Sequence, residues 1–254
     1  MDTNQLRIAL FSGNYNYVRD GANQALNRLV DYLLRQGAAV RVFAPTTDTP
    51  AFEPTGDLVS VPSRPIPGRG EYRIALGLPQ PIRDDLKRFA PNMLHVSAPD
   101  ILGHRAVSFA RSQGIPVIAS MHTRFETYLR YYGLSLFEPA LEALIRRFYQ
   151  RCDAVVAPSQ SMADIMRAQR MSDDISIWAR GIDRAIFNPG RRDHARRPQL
   201  RGRRSQVQPL HGLHLAVPHR QHRQLAHDAP RARLQRRGAT GLGRAARRAE
   251  RRAT

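Results

Sequence analysis

Four loops of the sequence carry residues that could bind or act on a polar substrate. They contain Gly21 in SGNYNYVRDGANQ, Asp100 in VSAPDILGHR, His122 in ASMHTRFETYLRYYG, and the pair Arg180 and Gly181 in WARGIDRAIFNP. A glycine at a helix start leaves backbone N–H groups free to meet a phosphate or a sugar. A histidine can exchange a proton or a hydrogen bond, and a guanidinium can hold an anion.

Each of these residues also has a purely structural interpretation. Gly21 can be an ordinary turn glycine, and Asp100 can cap the helix that follows it. His122 can be a structural or solvated histidine, and Arg180 with Gly181 can be a surface arginine beside a turn. The sequence lacks the G-x-G-x-x-G dinucleotide fingerprint, which disfavours NAD binding, and it has no clustered Cys/His spacing, so no metal site is predicted. It also lacks a P-loop and the Ser-His-Asp order of a catalytic triad.

All four loops follow predicted strands. The strands are predicted over 6–12, 38–45, 58–63, 92–99, 115–122, 152–159 and 175–181. Helices are predicted between most of them, over 22–37, 81–90, 102–114, 124–132, 138–151 and 160–170, and a Pro/Gly-rich loop is predicted over 64–79. This alternation predicts a doubly wound, Rossmann-like α/β domain with a parallel sheet, whose ligands bind beyond the carboxyl ends of the strands.

The charge of the chain is concentrated at one end. Residues 194–254 contain 16 Arg against Asp228 and Glu250, whereas residues 1–193 hold 24 basic and 19 acidic residues. The last 61 residues include nine Leu or Val and lack Ile, Met, Phe, Trp and Tyr. Such a composition cannot bury enough apolar surface to offset its ordering entropy, so a disordered basic tail is expected after a body of ordinary charge.

The remaining composition points to a reducing compartment. Cys152 is the one cysteine of the chain, so an internal disulfide is excluded, and a buried structural thiol is the expectation. The apolar segment at the N-terminus is short and lacks a basic leader, so no signal peptide is predicted, and no apolar run is long enough to predict a membrane span. A cytoplasmic location is therefore predicted.

Six segments, taken in order, resemble the N-terminal half of a family 4 retaining glycosyltransferase of the GT-B fold. The GDP-mannose-dependent α-mannosyltransferase-like group is the most similar, and the resemblance covers residues 6 to about 192. The segments are DGANQALNRLVDYLLRQGAAVRVFAP, VPSRPIPGRGEYRIAL, HVSAPDILGHRA, HTRFETYLRYYG, CDAVVAPS and RGIDRAIFNPGRR.

The resemblance implies an acceptor-side domain over 1–192. The implied reaction is transfer of a hexosyl unit, mannose from GDP-mannose, to a lipid or polysaccharide acceptor with retention of configuration and with no cofactor beyond the donor. It further implies that the Gly21 loop lies near the donor phosphate and sugar, and that His122 hydrogen-bonds the transferred sugar. Many relatives work at the inner face of the membrane, and the basic amphipathic stretch 140–151 would permit peripheral contact, although its pattern favours a buried packing helix.

The sequence departs from the family after FNPGRR. The family's second domain opens with a basic GR…KG loop and later carries an E-x7-E pair for the nucleotide sugar, and residues 193–254 contain neither. Their composition is typical of GC-rich DNA translated out of frame, so we expect a frame disruption near residue 193 and an inactive chain as written. The alternative is a non-enzymatic α/β domain whose tail binds nucleic acid or anionic surfaces; the absence of Lys and aromatic residues from the tail argues against a nucleic-acid partner.

Overall fold

The computed structural model describes residues 2–66, 69–124, 133, 135–181 and 188–191. Within the unit that contains Met1–Arg180, a seven-stranded sheet has the order β3-β2-β1-β6-β7-β8-β9, and every neighbouring pair is parallel. A separate two-stranded sheet pairs β4 with β5. The strands are β1 (Arg7–Phe11), β2 (Ala39–Ala44), β3 (Asp57–Ser60), β4 (Ser63–Ile66), β5 (Arg69–Ala75), β6 (Met93–Val96), β7 (Val117–Ser120), β8 (Ala154–Ala157) and β9 (Ile175–Ile177).

The strand order confirms the doubly wound fold predicted from the sequence. The chain starts at β1 in the interior of the sheet, continues to β2 and β3 on one side, and then returns to place β6 against the other edge of β1. In such sheets the crevice for a ligand opens where the strand order reverses, here between the carboxyl ends of β1 and β6. All seven predicted strands take part in this sheet.

The described helices cover the two faces unequally. They are α1 (Gly21–Arg35), α2 (Gln80–Phe89), α3 (Ile101–Ser112), α4 (Glu138–Tyr149) and α5 (Gln160–Ala168). Buried residues of α1 form one apolar cluster with alternate residues of β1 and β2, whereas those of the other four helices share a second cluster on the opposite face. Because strand side chains alternate between faces, a residue's position along its strand decides which cluster it joins.

The predicted loop over 64–79 is wrong. This region contains an antiparallel hairpin in which β4 and β5 pair from Ser63–Ala75 to Ile66–Arg69, with a register shift between Pro65 and Ile66. Proline and glycine in the segment hide its strand pattern, and proline is tolerated here because each strand of a two-stranded sheet has a free edge. The hairpin reaches the loop after β1, since the Arg73 backbone N–H donates to the Tyr17 hydroxyl at 3.3 Å.

Several sequence predictions fall outside the described residues. Most of the predicted helix 124–132 does so, and so does the whole of 193–254, including the predicted disorder. The predicted helix 138–151 is confirmed as α4, and a short 3-10 helix spans Pro189–Arg191. Burial raises the pKa of the Cys152 thiol to about 12, as expected for a structural cysteine. In the part of the chain that the structure describes, none of the helices is long and apolar enough to cross a membrane.

Candidate functional site

The loops that carry the predicted site residues lie at the carboxyl edge of the parallel sheet. Gly21 follows the loop after β1, Asp100 the loop after β6, His122 the end of β7, and Arg180 the end of β9. Parallel strands bring all these ends to one edge, so residues that are far apart in the sequence become neighbours.

A row of hydrogen bonds at this edge joins residues that lie in or just after three strands, β6, β7 and β9. A guanidinium N–H of Arg180, at Nη2, donates to Nδ1 of His122 at 3.0 Å. The other ring nitrogen of His122, Nε2, lies 2.8 Å from Oγ of Ser120, which in turn lies 3.0 Å from Nε2 of His95. The indole of Trp178 meets both imidazoles edge-on, with ring centroids 5.8 Å from His122 and 6.4 Å from His95. Two histidines, one serine and one arginine are thus held in a single arrangement.

Both imidazoles are neutral at pH 7. Burial, the positive charge of Arg180 and the nearby His95 together lower the pKa of His122 to about 3. Burial alone lowers the pKa of His95 to about 4. A neutral imidazole has one donor nitrogen and one acceptor nitrogen, so His122 can accept from Arg180 and still donate to Ser120.

The backbone conformation and the burial of Arg180 lower the stability of the fold. Its backbone φ is +63°, in the left-handed region that a residue with a side chain rarely adopts. Its Nε is buried and has no hydrogen-bond partner among the described residues. Burial lowers the pKa of Arg180, and the negative charge of Asp20 opposes that effect. The guanidinium therefore feels the charge of the residue that caps α1. Unfavourable features of this kind cluster at functional sites.

Gly21 is the first residue of α1, and the helix is capped by the residue before it. A carboxylate oxygen of Asp20 accepts the backbone N–H of Asn23 at 2.8 Å. Gly21 has no positive φ, and a β-carbon built on it would meet no atom of the described residues within 4 Å. The interpretation as a turn glycine is therefore wrong, and neither backbone conformation nor packing within the described chain explains this glycine.

Asp100 caps α3, as its structural interpretation predicts. Its Oδ1 accepts the backbone N–H of Gly103 at 2.7 Å, and its Oδ2 would lie 2.5 Å from a β-carbon on Gly13. Burial raises the pKa of Asp100 to about 6, with the N–H of Gly103 acting in the opposite direction. The close approach to Gly13 joins the loops after β1 and β6, as does the hydrogen bond of 2.9 Å from the Ser97 hydroxyl to the Ser12 hydroxyl.

The structure brings some of the predicted site residues together and leaves others apart. His122 and Arg180 are hydrogen-bonded, and the capping residue Asp20 connects the Gly21 end of α1 to Arg180 through charge. Asp100 belongs to the other face of the sheet, with α3. Gly181 has a φ of +63°, in the left-handed region that favours glycine.

Sequence reasoning missed the contributions of Asp20, Ser120 and His95. A signal for the last two was present, since both are polar residues in otherwise apolar predicted strands. In the part of the chain that the structure describes, His, Cys, Asp and Glu nowhere come together in threes that could hold a metal ion.

Comparison with known proteins identifies a family match. The family model described as Glycosyltransferase Family 4 matches residues 19–186, well over half of the chain. A GDP-mannose-dependent alpha-mannosyltransferase of Mycolicibacterium smegmatis is 31% identical over 201 residues, which cover 76% of this chain and 52% of that protein. An alpha-monoglucosyldiacylglycerol synthase of Streptococcus pneumoniae is 26% identical, over 72% of this chain and 42% of its own. The chain spans about half the length of the curated relatives it matches.

A solved structure shares the fold. Sucrose-phosphate synthase from Thermosynechococcus elongatus superposes with a TM-score of 0.56 over 76% of this chain and 52% of its own, at 15% sequence identity.

Proposed function

The chain belongs to Glycosyltransferase Family 4, and we propose that residues 1–192 are the acceptor-side domain of a retaining hexosyltransferase. The proposed donor is GDP-mannose, and the proposed acceptor is a lipid or a polysaccharide. The name of the M. smegmatis relative supports the donor, and the diacylglycerol in the name of the S. pneumoniae relative supports a lipid acceptor.

The observation that carries this proposal is the hydrogen bond between Arg180 and His122 beside the start of α1. It places a cation, a neutral imidazole and a helix N-terminus at one edge of the sheet. A nucleotide-sugar donor carries a diphosphate that leaves with additional negative charge, and fixed cations and N–H groups stabilise such a leaving group.

We assign one role to each residue on this basis. His122 lies against the transferred sugar, where it would hydrogen-bond the ring by exchanging one of its present partners. The Gly21 end of α1 faces the donor phosphate and sugar, and the room around Gly21 is the room that a donor needs. Arg180 and Gly181 border the donor site, and Asp100 is a further substrate-binding residue at the crevice between β1 and β6.

The donor reaction can be tested with two forms of the protein. The 254-residue chain and a hybrid that joins residues 1–192 to the C-terminal half of the M. smegmatis relative are each supplied with radiolabelled GDP-mannose or UDP-glucose and with phospholipid or glycan acceptors. We expect transfer by the hybrid from GDP-mannose to lipid, and none by the 254-residue chain. In the hybrid, His122→Ala should lower the transfer rate about 100-fold.

A control variant distinguishes loss of the site from the general effect of replacing a polar side chain by alanine. Arg35→Ala removes an exposed arginine from the last turn of α1, at the opposite end of that helix, and should leave transfer unchanged. Transfer that survives His122→Ala, or a hybrid that transfers no sugar while remaining folded, would contradict the proposal.

We propose peripheral contact with the inner face of the membrane through the surface at α4. Ile145, Phe148 and Tyr149 pack into the core, whereas Leu136, Phe137 and Leu144 are exposed on the outside. An exposed apolar group of this kind beside arginine side chains suits a lipid interface. Sedimentation with anionic vesicles should fall when Leu136 and Phe137 are both replaced by Ser, and equal sedimentation of the two proteins would refute the contact.

We further propose that the acceptor-side domain ends at residue 192 and that 193–254 arises from a shift of reading frame. The composition supports the shift: residues 194–254 contain 16 arginines and no lysine. Translation of the neighbouring frames downstream of codon 185 should yield a GR…KG loop and an E-x7-E pair. Their absence from both frames would favour a real basic tail, which would retain the protein on nucleic acid or heparin at physiological salt.

A further inference from the structure

The hydrogen bonds at the carboxyl edge of the sheet determine where the protons of two histidines lie. Arginine has donors and no acceptor, so the nitrogen of His122 that receives Arg180, Nδ1, is bare. The single proton of the neutral ring is then on Nε2. That N–H points to Oγ of Ser120, 2.8 Å away.

The direction continues through the serine. Ser120 is buried, and among the described residues its hydroxyl has hydrogen bonds to the two histidine rings alone. Because the oxygen accepts from His122, the hydroxyl proton is left for Nε2 of His95, 3.0 Å away. Nε2 of His95 is therefore the acceptor, and its proton is on Nδ1. In free histidine the Nε2–H form is the more populated tautomer, so the form at His95 is one that the site imposes.

The positions of these side chains in the sheet hold the row of hydrogen bonds rigid. His95 pairs with Ile118 in the parallel register of β6 and β7. Ser120 lies two residues after Ile118, so its side chain projects on the same face of the sheet as that of His95. His122 follows two residues later. The indole of Trp178 covers both imidazoles from the side of β9. Neither imidazole, nor the hydroxyl of Ser120 between them, can turn away without breaking a buried contact.

We propose that His95 and Ser120 are positioning residues, which hold His122 as its Nε2–H tautomer and so keep Nδ1 as the acceptor that aims the guanidinium of Arg180. The tautomer of His122 and the orientation of the Arg180 guanidinium are thus set by two buried residues that lie beneath the site. The inference goes beyond the proposed transfer reaction, because a tautomer can be measured with neither donor nor acceptor present.

Nitrogen-15 NMR of the ring nitrogens in the full 254-residue chain at pH 7 tests the proposal. The unmodified protein should show a protonated Nε2 on His122 and a protonated Nδ1 on His95. A protonated Nε2 on His95, or a protonated Nδ1 on His122, would overturn the proposal in the unmodified protein, without any variant.

Substitution of the serine separates positioning from simple structural support. Ser120→Ala should return His95 to the Nε2–H form and remove the single-tautomer pattern of His122, while Ser120→Thr, which keeps the hydroxyl, should retain both patterns. Backbone amide spectra establish that each variant is folded. A folded Ser120→Ala protein with unchanged ring signals would refute the role of Ser120, and failure of the transfer reaction in the hybrid would leave these signals as they are.

Discussion

The starts of α1 and α3 are alike in sequence and different in what explains them. Each helix begins after a strand at the switch point of the sheet, and each is capped by an aspartate, Asp20 or Asp100, whose side chain accepts a backbone N–H three residues on. Each also has a glycine in its first turn. At α3 the fold requires Gly103, because a β-carbon there would overlap the carbonyl oxygen of Ala98. At α1 the fold makes no such demand on Gly21.

This difference indicates which of the two helix starts is shaped to meet a ligand. The cap made by Asp100 and the glycine at position 103 are both explained by contacts among the described residues. Among the residues that the structure describes, none fills the space at Gly21, and nearby Arg180 has a strained backbone and an Nε with no hydrogen-bond partner. Backbone strain and an unsatisfied buried donor lower stability, and such features cluster where a ligand binds.

Replacement of Gly103 should have the largest effect on the comparison. Gly103→Ala forces either α3 or the loop after β6 to move, and overpacking against backbone costs about 3 kcal/mol of unfolding free energy. Urea denaturation followed by circular dichroism measures the loss. A loss below about 1 kcal/mol would mean that the two helix starts are equally tolerant.

The titration of Asp100 should have the next largest effect. Its pKa in the folded protein is raised to about 6 from 3.8, so the stability that it contributes is present at low pH and is lost as pH rises from about 4 through 6. The difference in unfolding free energy between the protein and Asp100→Asn, which keeps a capping side chain, should change by up to about 1.4 kcal/mol per pH unit in this range. The two buried histidines act in the opposite direction in both proteins, so they cancel in the difference. A difference that is constant with pH would contradict the raised pKa.

Removal of the other cap should cost less. Asp20→Ala leaves the N–H of Asn23 without its side-chain acceptor, and a lost N-cap costs about 1 kcal/mol of unfolding free energy. Asp20→Asn keeps the cap and removes the charge near Arg180, so it should recover most of the stability. Equal losses in the two variants would show that the charge, rather than the cap, is what matters at α1.

The smallest effect on stability is expected at Gly21. A methyl group there meets no atom of the described part of the chain, and alanine lowers the entropy of the unfolded state. Gly21→Ala should therefore leave the unfolding free energy unchanged or raise it by up to about 1 kcal/mol. Transfer by the hybrid should nevertheless fall, because the methyl group occupies space assigned to the donor. Unimpaired transfer would place the donor elsewhere and remove the distinction between the two helices.

The sequence predicts the sheet well because its signals are local. Short apolar runs separated by amphipathic stretches indicate the seven strands, and Asp100 and Ser159 mark the starts of their helices as side-chain caps. The hairpin of β4 and β5 was missed for the same reason: Pro65 and Gly70 give a local loop signal, and only the pairing of the two strands overrides it.

The site could be predicted in part. The ends of strands are the expected place for ligand-binding residues, which is why His122 and Arg180 stand out in the sequence. Their hydrogen bond could not be predicted, since it joins residues 58 positions apart and depends on the left-handed backbone at Arg180. The spare room at Gly21 is likewise visible only when the neighbours of the helix start are known.

Trp178 gives this site an optical property. It is the one tryptophan of the chain, and both imidazoles of the hydrogen-bonded chain meet its indole edge-on. The tryptophan fluorescence of the whole protein is therefore emitted from the edge of the sheet where a donor is proposed to bind. Protonation of either histidine, displacement of Arg180 or arrival of a nucleotide would each change that emission, so the protein carries its own reporter and needs no attached dye.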